Sequence, residues 1–184
     1  MRRATGQRVS KVLIAIGCIA LAAQPAAAQA KGGAPMFGVG YTDIGPVVGL
    51  GGIGDASASF GGRFEHAIKT LPDMGNGILG IEAGFDYYSW SNAFFSYKYI
   101  PIGVTANYHF KVDAPKFDPF VGLGLGYRII SCSYSGVGDL CNNSAIYFIG
   151  RAGARYFFNP KMALYGDVGA GAATINIGLM FKMH

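Results

Sequence analysis

The sequence predicts an all-β chain, an eight-stranded antiparallel up-and-down transmembrane β-barrel occupying residues 31–184. Three observations predict it. Apolar residues alternate with small or polar ones in segment after segment, which is the period of a strand whose successive side chains point to opposite faces. Turn-forming stretches separate these segments at short intervals. The charged residues fall on one parity only, and they share it with many glycines.

Residues 1–30 are set apart from the barrel. Arg2, Arg3, Arg8 and Lys11 form a basic start, Val12 to Ala23 an apolar run, and Ala28-Gln29-Ala30 a small-residue cleavage site before Lys31. This is the pattern of a Sec-type signal peptide, removed after export, with an apolar run too short for a membrane helix. Arg2-Arg3 lacks the context of a twin-arginine signal. The apolar run continues past Cys18, which argues against lipid attachment there. The whole chain carries 15 basic and 10 acidic residues, net +5. The leader holds four of the basic ones and no acidic one, leaving eleven against ten, or +1. That excludes the basic footprint of a nucleic-acid binder.

The strands follow in order. The first is expected over Gly45–Ile53, with Met36 as its earliest start; Gly and Pro interrupt it. Phe60 and Phe64 then oppose Ser59, Arg63 and Glu65. Leu79, Ile81, Ala83, Phe85 and Tyr87 oppose Gly80, Glu82, Gly84, Asp86 and Tyr88. Ile100, Ile102, Val104, Ala106, Tyr108 and Phe110 oppose Pro101, Gly103, Thr105, Asn107 and His109. This last segment has 11 residues, about the 9–11 that a tilted strand needs to cross a bilayer. Val121, Leu123, Leu125, Tyr127 and Ile129 oppose Phe120, Gly122, Gly124, Gly126 and Arg128. Ile146, Phe148, Ala152, Ala154, Tyr156 and Phe158 oppose Arg151, Gly153 and Arg155. Leu164 and Val168 oppose Tyr165 and Asp167. Ile175, Ile177, Leu179, Phe181 and Met183 oppose Asn176, Gly178, Met180 and Lys182. Turns are expected at 54–55, 72–77, 91–92, 112–115, 132–143, 159–160 and 171–172, where Gly, Asn, Asp or Pro supply positive φ or a preset φ.

Which face meets water decides between a soluble sandwich and a membrane barrel. Only 14% of residues are charged, below the roughly 25–35% of an ordinary soluble surface. The charged parity is dense in glycine, which suits a crowded interior better than a solvated exterior. Aromatics gather near strand ends; Tyr87, Trp90, Phe95, Tyr99, Tyr108, Phe110, Tyr156 and Phe158 are expected to form the girdles of a transmembrane barrel. A spanning sheet must close, because unpaired backbone groups in hydrocarbon cost several kcal/mol each. An eight-stranded interior is then filled by side chains. Arg63, Glu65, Glu82, Asp86, Arg128, Arg151, Arg155 and Asp167 are expected to pair across neighbouring strands as a network plugging the lumen. Cys132 and Cys141 lie in one loop of an exported chain. A disulfide there would contribute roughly 2–3 kcal/mol by the chain-entropy estimate.

Three stretches carry a resemblance: Tyr99 to His109, Asp118 to Tyr127, and the closing strand ending Phe181-Lys-Met-His184. On these the chain resembles the small outer-membrane β-barrel families of Gram-negative bacteria (OmpA-, OmpX- and OmpW-like domains). The resemblance implies residence in the bacterial outer membrane, contact with its lipid, insertion by the barrel-assembly machinery, and a monomer. One departure is that such barrels end in an aromatic residue, whereas three residues follow Phe181 here.

Chemistry is sparse. Gly49-Leu-Gly-Gly-Ile-Gly54 matches a dinucleotide-binding pattern, but that pattern needs a following helix, and Ala56 to Phe60 alternates as strand. His66 and His109 lie near strand ends without ligand partners in sequence and read as polar interfacial residues. Asn142-Asn143-Ser144 matches a glycosylation sequon by chance within a polar loop. Neither the His-x-Ser of lipid-A deacylase barrels nor the Asp-Ser of palmitoyltransferase barrels occurs. No cofactor, metal or catalytic residue is implied. The expected function is a non-enzymatic outer-membrane barrel with a structural or surface-interaction role. The alternatives are a narrow, porin-like channel or small-hydrophobe transporter of the OmpW type, and a lipid-A-modifying enzyme.

Overall fold

The computed structural model describes residues 35–51, 58–91, 95–134 and 144–183. The expected leader, Cys141 and the two asparagines of the sequon lie outside the described residues. Eight strands form: β1 (Thr42–Leu50), β2 (Ala58–Leu71), β3 (Gly77–Ser91), β4 (Phe95–His109), β5 (Phe117–Tyr134), β6 (Ala145–Asn159), β7 (Met162–Ala170) and β8 (Ile175–Lys182). Each pairs with the next, and β1 pairs antiparallel with β8, so the sheet closes on itself. The strands shift register at Ala67/Lys69 and at Phe157/Asn159.

β1 starts within its expected span, at Thr42, but ends before the expected Ile53. It stops at Leu50 because Gly51 adopts a positive φ of 71°, which turns the chain. Its start ahead of Gly45 follows from the alternation, which continues back through Asp43. Pro46 is accommodated because the ladder to β8 runs Asp43↔Lys182, Ile44↔Phe181 and then Val47↔Gly178, skipping Gly45 and Pro46. A residue without an N–H belongs at such a gap.

The two ends of the barrel differ. Residues 35–41, 183 and the connections 72–76, 110–116 and 160–161 lie at one end, the short-turn end. At the other, long-loop end Leu50, Ser91, Tyr134 and Ala170 close their strands, and the longest stretch of sequence between two strands separates Tyr134 from Ala145. The rim at the long-loop end is uneven. β4–β5 pairing climbs to Phe95↔Tyr134, while β7–β8 pairing stops at Val168↔Ile175.

Burial is inverted relative to a soluble protein. Arg155 and Glu65 are 0% exposed, while Leu123 is 64% and Phe148 63% exposed. The wall thus faces outward with Leu, Ile, Val and Phe, as hydrocarbon requires. Inside, Phe37, Tyr41, Ala67, Phe157 and Ala163 cluster at the short-turn end. Val47, Phe120, Tyr165 and Met180 pack together within the lumen. At the long-loop end Tyr88 packs on Ala172 and Ala173 of the β7–β8 turn, which folds inward over the lumen.

Five of the expected girdle residues do face outward. Tyr108 and Phe110 meet edge-on at 4.9 Å, as do Tyr156 and Phe158 at 6.0 Å, and Tyr87 is exposed on β3. Trp90 and Tyr99 depart from the expectation. Trp90 shares its parity with buried Asp86 and Tyr88, and Tyr99 shares its parity with buried Pro101 and Thr105, so both point inward. The Tyr99 ring lies edge-on to Tyr88 at 5.5 Å. Nearness to a turn had grouped these aromatics; strand parity separates them. The Phe95 side chain lies outside the described set.

The inward glycines let strands and lumen groups approach. A Cβ on Gly124 would lie 2.1 Å from the Val104 carbonyl oxygen and 2.7 Å from the Thr105 Cα. Backbone cannot move aside as a side-chain tip can. Gly124→Val is therefore expected to lower stability by about 2 kcal/mol or more through overpacking. Leu123→Val on the outward face should stay within about 0.5 kcal/mol. Urea titration of the folded, heat-modifiable gel band measures both.

Candidate functional site

The polar interior is the only concentration of chemistry-bearing residues among those described, and it is built from inward positions of all eight strands. β6 supplies its hub. The Arg155 guanidinium reaches Asp43 of β1 (Nε to Oδ2, 3.0 Å), Asp118 of β5 (Nη1 to Oδ2, 3.5 Å) and Glu65 of β2 through Nη2. Its flat faces lie near three rings, with Phe37, Phe120 and Tyr165 centroids at 5.2, 5.5 and 5.6 Å. Such contacts strengthen when desolvated. His109 of β4 sits beside the hub. Its Nε2 is 2.8 Å from Glu65 Oε1 and its Nδ1 is 3.0 Å from both Asp118 oxygens. Phe37 stacks on the imidazole at 3.9 Å.

A second centre lies toward the long-loop end. Arg63 Nη2 bonds Asp86 at 3.0 and 3.2 Å and reaches Asn176 at 3.3 Å, while Nη1 donates to the carbonyls of Gly62 and Phe85, each at 3.0 Å. Its Nε is 3.9 Å from Glu82. Arg151 forms a third, pairing with Asp167 and donating from Nη2 to the Ala173 carbonyl at 3.3 Å. That second bond holds the β7–β8 turn in the mouth.

Neutral groups join the centres. Asn107 donates to Glu65 at 3.1 Å and lies 3.5 Å from Glu82. The Tyr165 hydroxyl lies 2.6 Å from Asp167 and 3.3 Å from Glu82, and Asn176 donates to Asp167 at 2.8 Å. A tyrosine has one proton to give, so the shorter contact takes it. Glu82 is left with the weakest set of partners. A chain of hydrogen bonds and ion pairs thus runs from Asp118 through His109, Glu65, Asn107, Glu82 and Arg63 to Asp86. Six buried carboxylates (Asp43, Glu65, Glu82, Asp86, Asp118 and Asp167) face three buried arginines and His109.

Seven of the eight sequence-predicted charges enter this network. Arg128 does not. It is half-buried beside Pro101 and Ala145, beyond the turn that closes the mouth, and its buried Nε has no hydrogen-bond partner among the described residues. Cys132 is buried on β5 opposite Tyr97. His66 is exposed, with Nδ1 2.7 Å from the Thr42 hydroxyl, as an interfacial residue would be. His109 is not interfacial; it is among the most buried residues of the lumen. Sequence reasoning passed over Asp43, Asn107, Asp118, Tyr165 and Asn176 as network members. Each occupies the inward parity of its strand, so carrying the alternation two residues further through 43 and 118 would have found the two acids.

The interior offers little to a substrate. Both nitrogens of His109 face carboxylates, leaving none for a hydroxyl nucleophile. A small space of about 20 Å³ lies between Arg63, Glu82, Asp86, Thr105 and Arg151, enough for one water. The Thr105 hydroxyl beside it has no hydrogen-bond partner among the described residues.

A closed, lipid-faced sheet around a packed ionic interior defines a small integral membrane β-barrel. A family model described as "Outer membrane protein beta-barrel domain" matches residues 13–178, and the chain belongs to that family, whose place is the bacterial outer membrane. Neisserial surface protein A superposes with a TM-score of 0.54 at 17% identity, covering 78% of this chain and 97% of that one. The N-terminal barrel domain of Pseudomonas aeruginosa OprF gives 0.51 at 15% identity, covering 80% and 100%. OprG from the same organism gives 0.50 at 13%, covering 79% and 97%. These likenesses establish the shared barrel fold. No curated protein matches significantly.

Arg155→Met strips three buried carboxylates of their shared cation, and an uncompensated buried charge costs about 3–5 kcal/mol. Protonation relieves it, so the deficit against wild type should shrink as pH falls from about 7 to about 4. Arg128→Met should cost about 1 kcal/mol or less at either pH. Urea midpoints of the three proteins at both pH values decide.

Proposed function

We propose that this protein is a non-catalytic outer-membrane barrel whose lumen is a structural plug and whose work is done at its outer surface. The observation that carries the reading is the filled interior. Arg155, Arg63 and Arg151 directly cross-link seven of the eight strands, all but β4, and apolar residues close both mouths: Phe37 and Tyr41 at one, Tyr88, Ala172 and Ala173 at the other. Buried ion pairs of this kind are poor at raising stability beyond that of an apolar core, but they fix one arrangement of the strands. Short turns face the periplasm and longer loops the exterior in barrels of this class. The tall β3–β5 side of the rim then stands outside the cell, presenting a sheet to partners, with Lys98 and Ser89 exposed upon it. The reading includes a monomer in contact with outer-membrane lipid, inserted by the assembly machinery, with no nucleic-acid partner.

Planar-bilayer recording of the purified barrel tests the plug. The expected result is a silent bilayer, with discrete openings only in a variant such as Arg151→Ala, which frees the inward-folded turn. Steady conductance from the wild type would overturn the plug in favour of a narrow channel.

A further inference from the structure

We propose that a cleft on the periplasmic rim holds one anionic phospholipid of the inner leaflet, with phosphatidylglycerol as the simplest occupant. The cleft encloses about 370 Å³ between residues 35–37 and the β4–β5 connection, within the roughly 300–1,000 Å³ of small-ligand sites. Met36, Phe110, Val112, Ala114 and Phe117 make its walls apolar. Phe110 and Phe117 also belong to the exposed outer wall, so the cleft is continuous with the space that lipid fills. An acyl chain can enter it without leaving the membrane.

Charge names the headgroup. Lys111 lines the cleft, and Lys116 stands beside Pro115 and Phe117, which also line it. Around this rim the exposed charges among the described residues are Lys69, Lys111, Lys116, Lys161 and Lys182 against Asp73 and Asp113. A basic rim of this kind attracts an anionic headgroup by about fivefold per lysine. It repels the ammonium of phosphatidylethanolamine. The one acid in the cleft wall, Asp118, is buried and already engaged by His109 and Arg155, so its charge is spent inward. Thr70 and Asn76 line the cleft as well and can hydrogen-bond the hydroxyls of a glycerol headgroup.

The test reconstitutes the full barrel in nanodiscs containing phosphatidylethanolamine in excess over phosphatidylglycerol. The protein is then re-extracted in detergent, and retained phospholipid is counted by mass spectrometry. Wild type is expected to keep phosphatidylglycerol in preference to phosphatidylethanolamine. The double variant Lys111→Glu, Lys116→Glu should lose this preference by more than about fivefold. Ala114→Trp, which fills the cleft and leaves the rim charges intact, should also release the lipid. Lys98→Glu at the opposite rim should change nothing. All four positions are exposed, so the boiling-dependent gel shift of a folded barrel should persist in each. Retention in the bath ratio by the wild type overturns the proposal. So does loss in only one of the first two variants: charge without a cleft is a diffuse rim effect, and a cleft without charge has no anionic selectivity.

Discussion

Arg155 sits where carboxylates from β1, β2 and β5 converge, with aromatic rings over its faces. A guanidinium stripped of water needs its donors answered, and its planar fork can answer several acceptors at once where an ammonium could not. The eight-stranded ring is narrow enough that β6 reaches β1 and β2 across its lumen as well as its neighbour β5. The rest of the interior follows from this crossing. His109 fills the remaining acceptor positions of Glu65 and Asp118. Asn107 and Tyr165 pass the hydrogen bonding onward to Glu82 and Asp167. Glycines at 122, 124 and 153 keep the wall thin where Asn107, Thr105 and Phe120 need room.

The same constraint explains the outside. Once the interior is committed to charge and small residues, the strands can only be stable if the opposite parity is covered by something apolar. Lipid supplies that cover, so the Leu, Ile and Phe wall and the ionic lumen are two consequences of one alternation.

How far the sequence disclosed this follows from the reach of each signal. A period of two is a local property, so the strands from β2 to β8 and the face of nearly every charged residue could be read directly. Closure followed from the cost of unpaired backbone in hydrocarbon. The limits of β1 were obscured because Gly45 and Pro46 look like breakers, and only the register against β8 reveals that a missing N–H does no harm there. Pairing was legible between neighbours, as with Arg63–Asp86 and Arg151–Asp167. It was illegible across the lumen, where Arg155 of β6 meets Asp43 of β1 and Glu65 of β2, from strands far apart in the chain. Trp90 and Tyr99 illustrate a different limit. Proximity to a turn says how high on the barrel a residue sits, whereas parity says which way it points.

Phe37 has one more consequence. Its seat is made of Ala67 from β2, His109 from β4, Phe157 from β6 and Ala163 from β7. The shortest run of adjacent strands that contains that seat is β2 to β7. The segment before β1 emerges ahead of every strand yet has nothing to dock against until strands from nearly the whole circumference are side by side, which makes it a long-range contact formed late. The docking of Phe37 on the imidazole is therefore a molecular latch, engaged only by a barrel that has finished closing.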